Sequence, residues 1–546
     1  MKRILVLFTA LLNYDTMNKP TALLTILLLA PLAALHAADS RPNIVFLFTD
    51  DQTVGAMGCY GNKEIVTPHM DKLAADGVRF QNHYNTTSIC MASRASVMTG
   101  LYEYRHGCNF SHGDLQRRLF DQSYPVKLRQ AGYFTGVAGK IGFLIEGEKF
   151  EAFEKEFDVW AGGPGQTHYE TVKNEGIAKY ADKYPHCSRA YGAWAQDFMK
   201  SAKQSGKPFC MSISFKAPHL PFTPDPMDLK LYESKQTFLR PLNYGVENGK
   251  HLSPQARSSR AATDYREWVN DYDNHVRLYY ALISGVDAAV GMIREELNRQ
   301  GLAQNTVIIL TSDNGYNSGS HGFGDKVLPY EESSKSPLII FDPRLPKSHA
   351  GQVSNSVTAN VDMTATIFAL ANVAAPSDID GKNLIPLLSN PTNKVRDWLP
   401  LFNHWGAASA QSMAVVSSEW KYVHWYYAGQ WKPEDTAVKS TEELFHLKTD
   451  RTEMNNVAAD AQFASQLAAA RAAYDAELSA MKTKVIAGHG YEAYPILFDR
   501  TTAWLSKESL VKEIIGNGAS EGGNGEARGN RANADKSNET RKVKQE

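Results

Sequence analysis

The chain has 546 residues, a length that favours two or more structural units. Its 58 basic and 59 acidic side chains leave a net charge of −1, so no overall field attracts nucleic acid or an anionic membrane. Hydrophobic residues make up 43% and charged residues 21%, which is the balance of a globular enzyme. Any anion that the protein binds must therefore be held by a local site.

Residues 1–38 are typical of an export signal. Lys19 precedes an apolar run over residues 21–35, and the small residues Ala37 and Ala38 follow it. This order matches a signal peptide, with Met17 as a candidate true start, and the run is too short to span a bilayer. We expect an exported, periplasmic or secreted protein with no transmembrane span in its mature form. A membrane anchor is the alternative.

The cysteines are sparse and odd in number: Cys59, Cys90, Cys108, Cys187 and Cys210. They provide neither a disulfide framework nor a CxxC metal pair. At least one thiol therefore has no partner within the chain, and in an exported protein such a thiol requires a reason.

From Arg41 onward, short apolar runs alternate with amphipathic stretches, which predicts an α/β fold with a mostly parallel central sheet flanked by helices. Four continuous runs are typical of strands covered on both faces: residues 43–48, 132–138, 209–215 and 306–310. Polar side chains follow the four runs: Asp50 and Asp51, Lys140, Lys216 and His219, and Asp313 and Asn314. Because ligands of open α/β sheets bind outside the carboxyl ends of the strands, we expect these side chains to meet at one edge.

Helices are predicted near residues 67–74 with Thr67 as the cap, over 271–300 in one or two parts, and over 361–370. Beyond about residue 390, aromatic-rich strand candidates and an alanine-rich helix indicate a smaller α+β subdomain. The predicted organisation is a signal peptide (1–38), a catalytic domain (39–395), a C-terminal subdomain (396–515) and a disordered tail (516–546).

The pairs Asp50–Asp51 and Asp313–Asn314 place oxygen donors at equivalent strand ends. Adjacent buried carboxylates repel one another and need a counter-charge. Oxygen donors without clustered His or Cys suit a hard cation, and a site with many oxygens favours Ca²⁺. Mg²⁺ is the alternative ion. Adjacent acids in a solvated turn are the alternative.

The segment from Cys90 to Gly100 predicts a short helix, and a group at its N-terminus lies where N–H groups and the dipole favour negative charge. A lone cysteine is ordinarily a small buried hydrophobic residue. This segment, however, resembles the signature of the formylglycine-dependent (type I) sulfatases of the alkaline phosphatase-like superfamily. Cys90, Ala92, Arg94 and the pair Thr99–Gly100 match it. Residues 43–51, 313–315, 324–340 and 443–450 look like the family's metal-binding, lysine and C-terminal segments.

The resemblance implies a sulfuric ester hydrolase in which Cys90 is oxidised to formylglycine (3-oxoalanine). A formylglycine-generating or anaerobic sulfatase-maturating enzyme would be the partner. One hydroxyl of the aldehyde hydrate, activated by the metal, attacks sulfur and displaces the alcohol. The second hydroxyl then loses a proton and expels sulfate. The implied metal ligands are Asp50, Asp51, Cys90, Asp313 and Asn314.

By family position, Lys140, His219 and Lys326 hold the sulfate, and Arg94 supports the nucleophile and the metal. His219 or Lys326 would protonate the leaving oxygen.

The chain departs from the family at Gly142, where members often carry a histidine that is a candidate base. His106 or His112 could substitute. Ala92 stands where many members have proline, so the maturating enzyme must tolerate alanine.

Substrate contacts are expected from Gln166 and His168 in the glycine-rich stretch 162–169, and from His321. A plain surface turn is the alternative for that stretch. The aromatics Trp405, Trp425 and Tyr426 could stack on a sugar, although core packing suits at least one. We expect a sulfated small molecule or glycan (sulfated polysaccharide) as substrate. The competing interpretations are a phosphatase or phosphonate monoester hydrolase on the same fold, and a non-catalytic secreted carbohydrate-binding protein.

Overall fold

The computed structural model describes residues 41–405, 411–426, 440–503 and 506–511. The predicted signal peptide (1–38) and disordered tail (516–546) lie outside the described residues. From Pro42 onward the described residues form one compact unit, so the predicted border at residue 395 stays a prediction.

The described part contains a large sheet whose strands lie in the order β4-β3-β5-β1-β6-β7-β2-β8. The strands are β1 (Asn43–Thr49), β2 (Val78–Tyr84), β3 (Phe134–Lys140), β4 (Val159–Gly163), β5 (Phe209–Ser214), β6 (Thr306–Ser312), β7 (Leu338–Phe341) and β8 (Gln352–Ala359). The strands from β4 to β6 in this order pair in parallel, β7 is antiparallel to both neighbours, and β2 pairs in parallel with β8. The prediction of a mostly parallel α/β sheet is confirmed.

Helices flank this large sheet and the smaller sheet of the C-terminal part. The longer ones are α1 (Pro68–Asp76), α2 (Cys90–Thr99), α3 (Tyr124–Gln130), α4 (Cys187–Ser205), α5 (Arg260–Arg299), α6 (Asp362–Leu370) and α7 (Ala464–Lys484). Short helical turns include Glu103–His106, Arg117–Phe120, Pro226–Leu229, Pro254–Arg257, Glu331–Ser334, Ile385–Ser389 and Tyr494–Leu497.

The long helix predicted over 271–300 is the main part of α5, whose non-helical dihedral angles at Asp271 separate it from an additional helical stretch that begins at Arg260. Its portion Trp268–Arg299 is apolar and long enough to cross a membrane, but 72% of the most apolar window is buried in the protein, as in a core helix.

The four predicted strands form the centre of the sheet, and their ends are in register. Phe48 of β1 pairs with Ser214 of β5, and Thr49 pairs with Ser312 of β6. Every residue of β1 is buried, in agreement with a strand covered on both faces. The residues that follow these strands therefore emerge side by side at one edge.

Two local expectations differ from the structure. The stretch 162–169 begins inside β4, whose Gly163 pairs with Lys140 of β3, so Gly162 and Gly163 are strand residues at the same edge, whereas Gly165 lies in the loop that follows. Thr67 precedes α1 but makes no side-chain cap hydrogen bond. Its hydroxyl instead accepts from Gly58 N at 3.0 Å and donates to Asp71 at 3.2 Å, because the neighbouring turn offers a competing donor.

A second sheet forms the C-terminal part, with antiparallel strands in the order β12-β11-β10-β9. They are β9 (Leu399–Asn403), β10 (Ser412–Val416), β11 (Trp420–Trp425) and β12 (Thr441–His446). Helix α7 packs on this sheet through Tyr474, whose ring contacts Tyr422 edge-on at 5.5 Å. This is the smaller α+β part that the sequence predicts.

Candidate active site

The oxygen-rich centre of the site lies where β1 and β6 end. Asp50, Asp51, Asp313 and Asn314 are each at most 1% exposed. Asp51 has a left-handed backbone (φ 67°), and its N–H donates to Asp313 Oδ1 at 3.1 Å. Asn314 Nδ2 donates to Asp51 Oδ1 at 2.6 Å. The structure thus brings together four of the five side chains predicted to bind the metal; the fifth is Cys90.

Two oxygens of this centre have no hydrogen-bond partner among the described residues: Asp50 Oδ1 and Asn314 Oδ1. Both belong to side chains with no exposed surface. A buried acceptor without a donor costs free energy of about 1–3 kcal/mol, so oxygens of this kind suit a cation. One carboxylate oxygen each from Asp50 and Asp51 lies within 4.8 Å of a His219 ring nitrogen, close enough for a shared ion.

Three cationic side chains surround the carboxylates. Arg94 Nε donates to Asp313 Oδ2 at 2.8 Å, and its other nitrogens contact Asp50 Oδ2 (3.3 Å) and the Lys140 carbonyl (3.0 Å). Lys140 Nζ lies 2.5 Å from Asp50 Oδ2, and Lys326 Nζ contacts Asp51 Oδ1. All three predicted cations therefore meet the predicted metal ligands.

These contacts shift the pKa values of the carboxyl groups in different directions. Burial, reinforced by Asp50, raises the pKa of Asp313 to about 7, and burial raises the pKa of Asp51 to about 6 against the opposing Lys326. Burial would also raise the pKa of Asp50, but the cations Lys140, Arg94 and Lys326 together hold it well below its usual value.

Cys90 is the first residue of α2, and its side chain is 2% exposed. Burial raises the pKa of its thiol, and the nearby Lys140 and Lys326 oppose that shift only in part. The unmodified thiol is therefore neutral at neutral pH and a poor nucleophile. Gly100 ends α2 with φ 72°, as the sequence predicts.

His219 lies at the mouth of the site, where its side chain is 18% exposed and its Nε2 is 3.7 Å from Asp51 Oδ2. Nδ1 is 2.7 Å from the carbonyl of Leu220, which places the ring proton on Nδ1. Burial, together with Lys326, lowers the pKa of His219 to about 3. The ring is therefore neutral at neutral pH.

The three residues predicted to contact substrate lie in two different places. Gln166 is exposed, and its Oε1 accepts from Lys140 Nζ at 2.6 Å, while His168 lies exposed on the same loop. His321 lies in another buried cluster, where its ring nitrogens are 2.9 Å from Asn243 Nδ2 and 3.0 Å from the Asn248 carbonyl. Both of these hydrogen bonds of His321 lie outside the carboxylate centre. Substrate contact by Gln166, His168 and His321 stays a prediction.

Two of the predicted aromatic residues belong to the core. Trp425 and Tyr426 are at most 1% exposed, so neither can stack on a sugar ring. Trp405 is half-buried, with the Arg260 guanidinium 5.4 Å above its ring.

The position of Gly142 leaves no room for a histidine. Its φ is +87°, and an added Cβ would lie 2.5 Å from Arg94 Cδ. The candidate substitutes bond elsewhere. His106 contacts Ser96 Oγ and Cys108 N, both at 3.0 Å, and the His112 ring nitrogens face the carbonyls of residues 489 and 404 at 2.8 and 3.2 Å.

Lys216 is a residue near the site for which the sequence predicts no role. It follows β5 by two residues, is 5% exposed, and donates to the carbonyls of Gln166 (3.3 Å) and Thr167 (3.4 Å). Its position after a strand end was visible in the sequence, but a lysine beside a proline-rich turn resembles an ordinary surface charge.

Comparison with known proteins fits this geometry. The sulfatase family model matches residues 42–373, and the model for the C-terminal region of N-sulphoglucosamine sulphohydrolase matches residues 319–479. The chain belongs to the sulfatase family. It is a sulfuric ester hydrolase of the alkaline phosphatase-like superfamily, which excludes the non-catalytic alternative.

Curated relatives of this sulfatase act on several sulfate esters. An N-acetylglucosamine-6-O-sulfatase of Bacteroides thetaiotaomicron is 28% identical over 513 residues, covering 80% of this chain and 88% of the relative. An arylsulfatase of Clostridium perfringens is 25% identical, covering 76% of this chain and 90% of the relative.

Solved structures share the fold. One, in complex with its substrate D-glucosamine-2-N,6-O-disulfate, has a TM-score of 0.65 and 26% identity, covering 81% of this chain and 98% of the other. The phosphonate monoester hydrolase of Agrobacterium radiobacter also has a TM-score of 0.65, covering 82% of this chain and 96% of the other. At 21% identity it shows the fold alone.

Proposed function

We propose that this sulfatase is exported by residues 1–38 and removes a sulfate ester from a sulfated glycan. We further propose that it uses formylglycine at Cys90 and a Ca²⁺ ion held by Asp50, Asp51, Asp313 and Asn314. The observation that carries the proposal is the buried set of oxygens beside the N-terminus of α2, including the unpartnered Asp50 Oδ1 and Asn314 Oδ1.

The charges of the site support a cation and an anionic substrate. Asp50, Asp51 and Asp313 balance Arg94, Lys140 and Lys326 in charge. A divalent cation would add two positive charges, which a sulfate ester monoanion would partly offset. Such an ion supplies Lewis acid stabilisation to oxygens that gain negative charge during the reaction.

Cys90 fits the nucleophile position because it lies beside the carboxylate centre at a helix N-terminus. Its neutral, buried thiol is not suited to attack sulfur, whereas the hydrated aldehyde supplies a hydroxyl. Since the side chain is only 2% exposed, a maturating enzyme must reach it before the chain folds.

The cationic side chains have separate roles. Lys140 and Lys326 present their ammonium groups to sulfate oxygens, and Arg94 fixes Asp313 and Asp50. Burial lowers the pKa of Lys326, but Asp51 and the other acidic groups nearby together outweigh burial and hold that pKa well above its usual value. Lys326 thus carries a proton at neutral pH, whereas His219 is neutral, which favours Lys326 as the donor to the leaving oxygen.

The substrate class rests on the relatives and on the mouth of the site. The named relative acts on N-acetylglucosamine 6-O-sulfate, and the solved neighbour holds a glucosamine disulfate. Gln166, which binds Lys140, and His168 on the same loop are both exposed, so a sugar hydroxyl can reach them. A 6-O-sulfated amino sugar is therefore the first substrate to test.

The test uses protein co-expressed with a maturating enzyme. Turnover would be measured on N-acetylglucosamine 6-sulfate, on other sulfated mono- and disaccharides, and on matched aryl sulfate and aryl phosphate. Release of sulfate from a sugar, with aryl phosphate turned over far more slowly, supports the proposal. Faster turnover of aryl phosphate would favour the phosphatase alternative, and turnover of aryl sulfate alone would exclude a glycan substrate. Cys90 found only unmodified in active protein would exclude formylglycine.

A further inference from the structure

A buried lysine outside the predicted catalytic set lies beneath the loop that follows β4. Lys216 is 5% exposed, and its ammonium lies 5.1 Å from the centre of the Tyr169 ring. Its hydrogen-bond acceptors are two consecutive loop carbonyls, those of Gln166 and Thr167. Ordering and burying a lysine is costly, so a position that keeps one requires compensation from its surroundings.

The loop itself connects two of the proposed sulfate-binding residues. Gln166 Oε1 accepts from Lys140 Nζ at 2.6 Å, and the Tyr169 hydroxyl donates to the carbonyl of His219. Thr167 has φ 54° and Gly165 has φ 57°, both in the left-handed region. A non-glycine residue is uncommon there, so the loop conformation is held by its surroundings.

We propose that Lys216 is a positioning residue: by binding the Gln166 and Thr167 carbonyls it fixes the loop so that the Gln166 side chain holds Lys140 in place for sulfate. Lys216 contacts no proposed metal ligand. It acts indirectly: Lys216 positions Gln166, and Gln166 positions Lys140.

The consequence is that Lys140 has two fixed acceptors, Asp50 Oδ2 on one side and Gln166 Oε1 on the other. A flexible four-carbon side chain with only one acceptor samples more rotamers, and displacement of a catalytic group by about 1 Å can cost on the order of 10²-fold in rate. Loss of Lys216 should therefore lower turnover even though the ammonium of Lys216 never meets the substrate.

The experiment is a double-mutant cycle on matured protein with a small aryl sulfate, which lacks a sugar for Gln166 or His168 to contact. Lys216→Met and Gln166→Ala should each lower kcat/KM by about 10-fold, and the double variant should lose no more than the larger single loss. Lys216→Arg, which can still donate to the carbonyls, should recover most of the activity. Lys173→Met, an exposed lysine that pairs with Glu170, serves as the control and should match the wild type.

Each other outcome overturns the inference. Multiplicative losses in the double variant would mean that the two residues act independently, and equal activity of Lys216→Met and Lys173→Met would mean that the charge has no role. If Lys216→Met fails to fold, Lys216→Gln replaces it in the same cycle.

The inference rests on the proposed role of Lys140 in holding sulfate, which Lys140→Ala tests separately. Full activity of Lys140→Ala would remove that role. An inactive Lys140→Ala with multiplicative losses in the cycle would refute only the role of Lys216.

Discussion

Two buried charged clusters in this protein are built from the same residue types and are satisfied differently. At the edge of the large sheet, acids and cations alternate but two oxygens keep no partner, Asp50 Oδ1 and Asn314 Oδ1. Where β11 meets the short helix Glu331–Ser334, the fully buried Lys421 bridges Glu331 at 2.9 Å and Glu453 at 2.8 Å.

The surroundings of the carboxylates explain the difference. In the second cluster Glu331 also pairs with Lys335 at 2.9 Å, and Glu453 Oε2 accepts from the Glu331 N–H at 2.7 Å. Two lysines thus neutralise these two glutamates. Both clusters keep a buried carboxylate oxygen without a hydrogen bond, but Glu453 Oε1 of the second cluster lies 2.8 Å from the Lys421 ammonium, whereas the cations beside Asp50 pair with its other oxygen, Oδ2. An oxygen left in the state of Asp50 Oδ1 suits a ligand. Burial of charge by itself therefore does not identify a site.

The largest effect is expected at Cys90. Cys90→Ala removes the proposed nucleophile and should lower kcat by on the order of 10³-fold or more while the fold persists. Cys59→Ala, a half-buried cysteine outside the site, is the matched control and should keep full turnover. Sulfate release measured on both variants decides the matter, and activity retained by Cys90→Ala would move the nucleophile elsewhere.

The next effect tests the first cluster as a cation site. Asp313→Asn removes one carboxylate and should lower both the bound Ca²⁺ and kcat/KM, the latter by about 10²-fold. Asp182→Asn, on an exposed residue, should change neither quantity. Metal content by mass spectrometry and kinetics on aryl sulfate provide the comparison. An unchanged metal content in Asp313→Asn would contradict the assignment.

A substitution in the second cluster should lower the free energy of unfolding and leave the catalytic rate unchanged. Lys421→Met leaves Glu453 without its ammonium partner, and breaking a buried pair in this way costs about 3 kcal/mol of unfolding free energy. The variant should unfold at a lower temperature or denaturant concentration, and its folded fraction should keep its kcat. A loss of kcat as large as that of Asp313→Asn would place the second cluster in the catalytic machinery.

The smallest effect is a pH dependence of cation binding. The pKa values of Asp313 (about 7) and Asp51 (about 6) are raised, so in the ion-free protein both carboxyls hold protons below these values. Cations bind the ionised form. Ca²⁺ affinity should therefore rise with pH between about 6 and 7 and level off above, with fewer protons released at higher pH. Calorimetry at several pH values measures this, and a flat affinity would contradict it.

Much of the site could be predicted because its residues follow strand ends or match a short motif. Asp50, Asp51, Asp313 and Asn314 come directly after continuous apolar runs, and parallel strands bring their carboxyl ends to one edge whatever the loops do. The strand β4 escaped prediction because its five residues include two glycines and none is part of a long apolar run. Because β4 was not predicted, the position of the loop that follows it and carries Gln166 was not predicted either.

The sequence alone determined the parallel centre of the large sheet, the helix that begins at Cys90 and the identity of the charged residues, since periodicity, turn signals and the cysteine motif are local properties. Tertiary structure decided what each group touches. Gly142 excludes a histidine because Arg94 passes 2.5 Å from where its Cβ would lie, and Lys216 acquires a role because the loop after β4 folds over it. Such contacts join residues about fifty positions apart in sequence, and a local sequence pattern does not predict how close two such residues lie in the fold.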